Sequence, residues 1–230
     1  MRLISSSFPF RAFFLLSIIS IALTLSAQET KSAAPAKSDA KPQIFQSGDN
    51  EFGIWGGFSA GSPTIIGVTT DRKLFLNNIN WSRVILAGRT VAWKYTMDAV
   101  PVALITQPAE VVGPPFVPTV TSKSARTIYG AGINPLGMQL NFANTHKVQP
   151  FIQANGGLLY FTEQVPVIGS SQFNFAFSFG GGLQVFARDN KTVTVGYRFH
   201  HLSNNETALR NPGSDANMFY LGFSWLPRKH

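Results

Sequence analysis

Residues 173–179 show the clearest pattern in the chain, a strict alternation of Phe with small or polar residues. Phe occupies all four odd positions, and Asn174, Ala176 and Ser178 stand between them. Because successive side chains of a β-strand point to opposite faces, one face of this segment is all Phe and the other is small or polar. The same period of two recurs at 91–98, 193–200 and 219–225. The pattern predicts four strands.

Four more strands are predicted from weaker signals. Partial alternation marks residues 52–60, 127–142 and 148–160, whereas 73–86 is assigned mainly by its spacing from its neighbours. The region from 43 onwards contains no run of 18 apolar residues, so a membrane-spanning helix is not expected there. The sequence therefore predicts an all-β body of eight strands.

The connections between these strands alternate strictly in length. Long connections are predicted at 61–72, 106–126, 161–172 and 204–214, and short ones at 87–90, 143–147 and 187–190. Transmembrane β-barrels have an even number of antiparallel strands, short periplasmic turns and longer outer loops. We therefore expect residues 43–230 to form an eight-stranded antiparallel transmembrane β-barrel with both termini in the periplasm.

The charged residues of the strands distinguish this barrel from a soluble one. Lys94, Asp98, Arg198 and His200 lie opposite the aromatic face of their strands, and only 13% of the chain is charged. A soluble lipocalin-like barrel would carry an apolar interior and a charged exterior. The observed arrangement favours a polar interior and an exterior that faces lipid.

The amino-terminal region has the composition of a targeting segment. Arg2 and Arg11 precede an apolar run at 12–25, and the small residues Ser26 and Ala27 follow it. This order predicts a secretory signal peptide over 1–27, with a membrane anchor as the alternative. Residues 28–42 are rich in Ala, Lys, Ser and Pro, a composition typical of a flexible linker.

Charge and cysteine content exclude several classes of function. The formal net charge is +8, but no basic cluster interleaved with aromatic residues occurs, so we expect no nucleic-acid partner. The chain has no Cys, which excludes disulfides, thiolate zinc sites, a cysteine nucleophile and a lipidated cysteine anchor.

The strand phases also bring chemically reactive residues together. The outward register of the seventh strand continues to His201 and Ser203, and that of the eighth strand extends back to Asp215. A nucleophile, a base and an acid that orients the base are thus predicted at one end of a lipid-facing hairpin. With the amino terminus in the periplasm, this end lies near the outer leaflet. The alternative is that polar residues merely mark where the strands leave the hydrocarbon.

At these residues the chain resembles a known family. The segment Y-R-F-H-H-L-S-N at 197–204, followed by N-P-G-S-D at 211–215, is similar to the carboxy-terminal signature of the lipid A 3-O-deacylases. Members are eight-stranded outer-membrane barrels that remove the 3-linked acyl chain of lipopolysaccharide with a Ser, His and Glu triad on the lipid-facing surface. Asp215 stands where the family usually has Glu, and Asn205-Glu206 replaces an Ala-Gly pair.

The resemblance implies a role for each residue of the signature. Ser203 is the expected nucleophile, His201 the general base and acid, and Asp215 the orienting acid. Asn211 is expected to stabilise the oxyanion, and Asn204 is a second candidate for that task. Glu206 is the alternative acid. We expect a carboxylic ester hydrolase without metal or organic cofactor that acts on lipid A in the outer leaflet, among membrane lipids, as a monomer or a homodimer.

Two alternatives from other classes stay open at the level of sequence. A non-catalytic outer-membrane barrel, of the adhesion or membrane-stabilising type, accounts for everything except the polar hairpin. A lipid A acyltransferase barrel would share location and substrate but pass the acyl chain to an acceptor. Gly180, Gly181 and Gly182 are the residues that could leave room for an acyl pocket inside the barrel.

Overall fold

The computed structural model describes residues 41–188 and 190–227. The predicted signal peptide and nearly all of the predicted linker lie outside this part of the chain. The described residues form ten strands: β1 Asn50–Ser59, β2 Leu74–Ala87, β3 Val91–Gln107, β4 Glu110–Val112, β5 Thr121–Lys123, β6 Arg126–Phe142, β7 Val148–Phe161, β8 Phe173–Arg188, β9 Lys191–Ser203 and β10 Ser214–Trp225. In this part of the chain, no helix is long and apolar enough to cross a membrane.

Eight of these strands close into an antiparallel barrel, which confirms the predicted fold. Each strand pairs with its neighbour in the order β1, β2, β3, β6, β7, β8, β9 and β10, and β10 pairs again with β1. The two short strands β4 and β5 form a separate hairpin inside the connection between β3 and β6, which the sequence pattern did not predict. We call the end of the barrel that carries the four long connections the loop end, and the opposite end the turn end.

The exterior of the barrel is apolar, as the alternation predicts, and the interior combines polar groups with a buried apolar cluster that includes Leu76, Ile105 and Met218. Phe175, Phe177 and Phe179 of β8 are each more than 40% exposed on the outside. Inside, Lys94 pairs with Glu51 at 2.9 Å and Arg198 pairs with Asp98 at 3.4 Å, and all four side chains are buried. Hydrogen bonds extend these two ion pairs to five neighbouring interior side chains: Gln153, Gln184, Thr192, Tyr220 and Ser224.

The glycines of β8 serve close strand packing. A Cβ atom at Gly180 or Gly182 would collide with the carbonyl oxygens of Tyr197 or Val195 on β9. An interior space of about 50 Å³ is lined by polar side chains, among them Glu51, Lys94 and Arg198. A space of that size and polarity suits water molecules rather than an acyl chain. Gly180, Gly181 and Gly182 do not line this space, and an added Cβ atom at any of them would meet a carbonyl oxygen of a neighbouring strand.

The amino-terminal residues of the described chain close the turn end of the barrel. Phe45 is fully buried against Val84, Ala92, Phe186 and Leu226. Its backbone N–H donates to the side-chain oxygen of Asn144 at 2.8 Å, and the Asn144 amide donates back to the Phe45 carbonyl at 2.9 Å. This contact packs the chain before β1 against the strands at the turn end.

Candidate active site

His201 and Asp215 face each other across the last hairpin of the barrel. They are direct partners in the β9–β10 register, and His201 Nδ1 lies 2.6 Å from Asp215 Oδ1. The shorter Asp side chain therefore reaches the imidazole, because facing residues of paired strands lie only about 5 Å apart. The side chain of Asp215 is fully buried, whereas that of His201 is 16% exposed.

Backbone groups of the connection between β1 and β2 hold the Asp215 carboxylate. The N–H groups of Ile65 and Ile66 donate to Oδ2 at 2.8 and 2.7 Å, and that of Gly67 donates to both oxygens at 3.0 Å. These three backbone donors, together with the His201 ring, favour the ionised form of the carboxylate. We call these three N–H groups the cradle of Asp215. Backbone donors have no signature in the side-chain pattern, so the cradle could not be predicted from the sequence.

Further contacts fix the same connection on the β9–β10 hairpin. Val68 N–H donates to the Pro212 carbonyl at 2.8 Å, and Thr69 Oγ1 donates to the Gly213 carbonyl at 2.7 Å. At Gly67, an added Cβ atom would lie 2.7 Å from backbone atoms of Gly213 and Ser214. Glycine is therefore needed at 67, because the two backbones approach too closely for any side chain.

Ser203 lies at the end of β9, two residues beyond His201 and in the same strand phase. Its Oγ donates to Asn211 Oδ1 at 3.1 Å and accepts the Asn205 N–H at 3.1 Å. Among the described residues, no hydrogen bond joins Ser203 Oγ to His201. The hydroxyl is instead engaged by Asn211 and Asn205, and catalytic hydrogen bonds are often loose before substrate binds.

Asn211 and Asn204 lie beside the Ser203 hydroxyl in different orientations. Asn211 turns its oxygen towards Ser203, and this oxygen also accepts the Asn204 N–H at 3.0 Å. The buried Asn204 side chain turns away and donates to the Arg210 carbonyl at 2.8 Å. Asn211 therefore lies next to the Ser203 hydroxyl, while Asn204 joins Ser203 to the segment at Arg210.

A tight turn follows Ser203, and Glu206 lies in it. Asn205 and Glu206 both have positive φ, at 52° and 61°, and Thr207 N–H donates to the Asn204 carbonyl at 3.1 Å. These features are typical of a type I′ turn, whose second central position favours Gly. Glu206 is exposed in this turn, whereas Asp215 occupies the Nδ1 side of His201.

Two charged groups at the loop end have shifted pKa values. The pKa of Glu163 is lowered, chiefly by the hydrogen bond from Lys123 and also by Arg126. Burial lowers the pKa of Arg72, whose guanidinium donates to the Pro166 carbonyl at 2.9 Å. Both groups join long connections to each other through these bonds. Neither contacts Ser203, His201 or Asp215. Within the described residues, no cluster of His, Asp or Glu could hold a metal ion.

Known proteins are similar to this chain in sequence pattern and in fold. The family model of the lipid A 3-O-deacylases (PagL) matches residues 66–224, which is more than half of the chain and includes His201, Ser203 and Asp215. No curated protein matches the sequence at a significant level.

Solved structures are also similar to this chain. The outer membrane enzyme PagL superposes with a TM-score of 0.54 at 17% identity, over 74% of this chain and 97% of that one. Neisserial surface protein A matches with a TM-score of 0.43 at 12% identity, over 76% and 96% of the two chains. The outer membrane protein OprG from Pseudomonas aeruginosa matches with a TM-score of 0.43 at 11% identity, over 80% and 98%. On the extent of the family-model match, the chain belongs to the lipid A 3-O-deacylase (PagL) family of outer-membrane β-barrels.

Proposed function

We propose that this protein is an outer-membrane esterase that removes the 3-O-linked acyl chain of lipid A with a triad of Ser203, His201 and Asp215. The observation that carries the proposal is the 2.6 Å contact between His201 and the buried Asp215, with Ser203 two residues from His201 in the same strand phase. A hydroxyl nucleophile needs a base, and the base needs a fixed orientation.

The proposed first step forms an acyl-enzyme. Ser203 Oγ turns from Asn211 towards His201 Nε2 and attacks the ester carbonyl carbon, while its proton passes to Nε2. Asp215 keeps the Nδ1–H in place and stabilises the imidazolium that forms. Collapse of the tetrahedral intermediate breaks the bond to the sugar oxygen, which takes the proton from Nε2 and leaves as the free 3-hydroxyl.

Hydrolysis of the acyl-enzyme completes the cycle. Water gives one proton to His201 Nε2 and attacks the acyl carbonyl, and the proton returns to Ser203 Oγ as the fatty acid departs. The oxyanion in both steps needs hydrogen-bond donors. Asn211 is our candidate, because the Asn204 N–H holds its oxygen at 3.0 Å and leaves the side-chain NH₂ group free to donate once Ser203 has turned. The Asn205 N–H is a second donor beside Ser203 Oγ.

The surroundings of these residues suit a lipid substrate. Phe177 and Phe175 of β8 pair with His201 and Ser203 in the strand register, and both are exposed. Ile65 and Ile66, which hold Asp215 through their backbones, expose 71% and 56% of their surface. An ester bond at the edge of the hydrocarbon is thus adjacent to apolar walls for its acyl chain. We infer that the loop end faces the outer leaflet and that the termini are periplasmic.

The test is mass spectrometry of lipid A from cells that produce the wild type, Ser203→Ala or Ser214→Ala. Ser214 is the matched control, because it lies on the same hairpin next to Asp215 but is buried in the opposite strand phase. We expect loss of one 3-linked acyl chain with the wild type and Ser214→Ala, and intact lipid A with Ser203→Ala. Deacylation by a folded Ser203→Ala variant at the wild-type level would disprove the triad.

A further inference from the structure

Arg210, which directly precedes Asn211, is held by two other long connections. Its Nη1 donates to Glu110 Oε1 at 3.0 Å and to the Ile168 carbonyl at 3.0 Å. Its backbone N–H donates to the Gly169 carbonyl at 3.1 Å. The guanidinium also lies 4.8 Å from the ring centre of Phe116. One side chain therefore joins its own connection to the two that precede β6 and β8.

Glu110 bonds both Arg210 and Ile168. One of its carboxylate oxygens accepts from Arg210, and the other accepts the Ile168 N–H at 3.0 Å. The side chains of Arg210 and Glu110 are only 24% and 15% exposed. Ion pairs of this kind are less screened than those on an open surface, and the shared Ile168 fixes their geometry. We call Arg210, Glu110 and Ile168 the clasp.

The clasp is linked to the proposed oxyanion site by short paths. The Arg210 carbonyl accepts from the buried Asn204 side chain at 2.8 Å, and the next residue along the chain, Asn211, contacts Ser203. On the carboxyl side of Asn211, Val68 N–H holds the Pro212 carbonyl. On the amino side, Leu209 is 73% exposed, so the clasp is the restraint nearest to Asn211 there. Catalytic geometry tolerates little displacement, and about 1 Å can cost on the order of a hundredfold in rate.

We propose that Arg210 and Glu110 are positioning residues that hold the Asn211 amide where it can stabilise the oxyanion. The inference rests on the proposed function and extends it. It assigns the connection before β6 and the connection before β8 a part in catalysis, although neither supplies a residue that touches the ester.

The test measures kcat and KM of purified, detergent-solubilised variants with lipopolysaccharide in mixed micelles. We expect Glu110→Gln to lower kcat at least about tenfold and to change KM less than twofold, because the transition state loses a correctly placed donor. Arg210→Gln should behave alike. Arg210→Lys should retain most activity, since one nitrogen, Nη1, makes both side-chain bonds.

Glu163→Gln is the matched control for the loss of a carboxylate at the loop end. Glu163 pairs with Lys123 and Arg126 and has no contact with Arg210 or Asn211. We expect its kcat to equal that of the wild type. A Glu110→Gln variant with wild-type kcat, or with a raised KM as its only change, would overturn the proposal.

A double-mutant cycle separates positioning from a general loss of structure. If the clasp acts through Asn211, Glu110→Gln should have no further effect in an Asn211→Ala background. Equal fold losses in both backgrounds would show that the clasp acts elsewhere and would overturn the proposal. Ser203→Ala in the same assay keeps the two ideas apart: if it is active, the proposed function fails, and if it is inactive while the cycle is additive, the clasp alone fails.

Discussion

At the scale of single residues, the substitution of Asp for the family's usual Glu is explained by what surrounds position 215. The carboxylate contacts His201 at 2.6 Å, and three backbone N–H groups hold it from the far side. A shorter side chain suffices because the connection between β1 and β2 fills the space behind it. The position of the Asp215 carboxylate is therefore set by two parts of the chain that lie about 150 residues apart.

We expect Asp215→Ala to lower the deacylation rate at least about a hundredfold, because the imidazole loses the partner that fixes its tautomer. Glu206→Ala should change the rate little, since Glu206 lies exposed in the turn. The measurement is release of fatty acid from lipopolysaccharide by each purified variant. An inactive Glu206→Ala together with a fully active Asp215→Ala would transfer the role of acid to Glu206.

Position 206 offers a separate prediction about backbone strain. A non-Gly residue with φ of 61° costs about 1–3 kcal/mol, which Gly avoids. We expect Glu206→Gly to keep the wild-type rate and to make the connection more resistant to limited proteolysis. Glu206→Val should be cut faster and be less active, because a β-branched residue tolerates this φ poorly. Equal proteolysis of the two variants would contradict the strained turn.

At the scale of elements, the strands and the lengths of the connections follow from the sequence, whereas the contacts made within and between the long connections do not. The alternation at 173–179 predicts β8 because one face meets an apolar exterior and the other a polar interior. The hairpin of β4 and β5 escaped prediction because strands of three residues are too short to show a period. The cradle of Asp215 and the clasp escaped as well, since both depend on backbone groups or on contacts between distant connections.

The connection between β1 and β2 can be tested through its glycines. Gly67→Ala should lower kcat at least about tenfold, because the added methyl group meets the backbone of Gly213 and Ser214 and must push the N–H donors away from Asp215. Gly61→Ala, in the same connection, is the control, since an added Cβ atom there meets nothing within 4 Å. Similar rates for both variants would mean that the cradle does not support His201.

At the scale of the whole molecule, the proposed site requires two environments, lipid for its substrate and water for hydrolysis, and the barrel keeps these two apart. A closed barrel satisfies every strand hydrogen bond, so the exterior can be apolar up to the residues that carry the proposed chemistry. The interior contributes rigidity through buried pairs such as Lys94 with Glu51. The proposed site therefore stands on a rigid wall at the edge of the hydrocarbon, where an ester of a lipid and the water that hydrolyses it are both within reach.

The proposed orientation of this wall is open to a direct test, because the chain has no native Cys. We expect Ser122→Cys, in the exposed hairpin strand β5 at the loop end, to react with a membrane-impermeant maleimide on intact cells. Arg89→Cys, in the exposed turn between β2 and β3, should react only after the outer membrane is permeabilised. Heat-dependent migration on gels would show that both variants form closed barrels. The reverse labelling pattern would put Ser203 at the periplasmic face, away from the leaflet that holds lipid A. That result would contradict the proposed function, which requires Ser203 to meet lipid A.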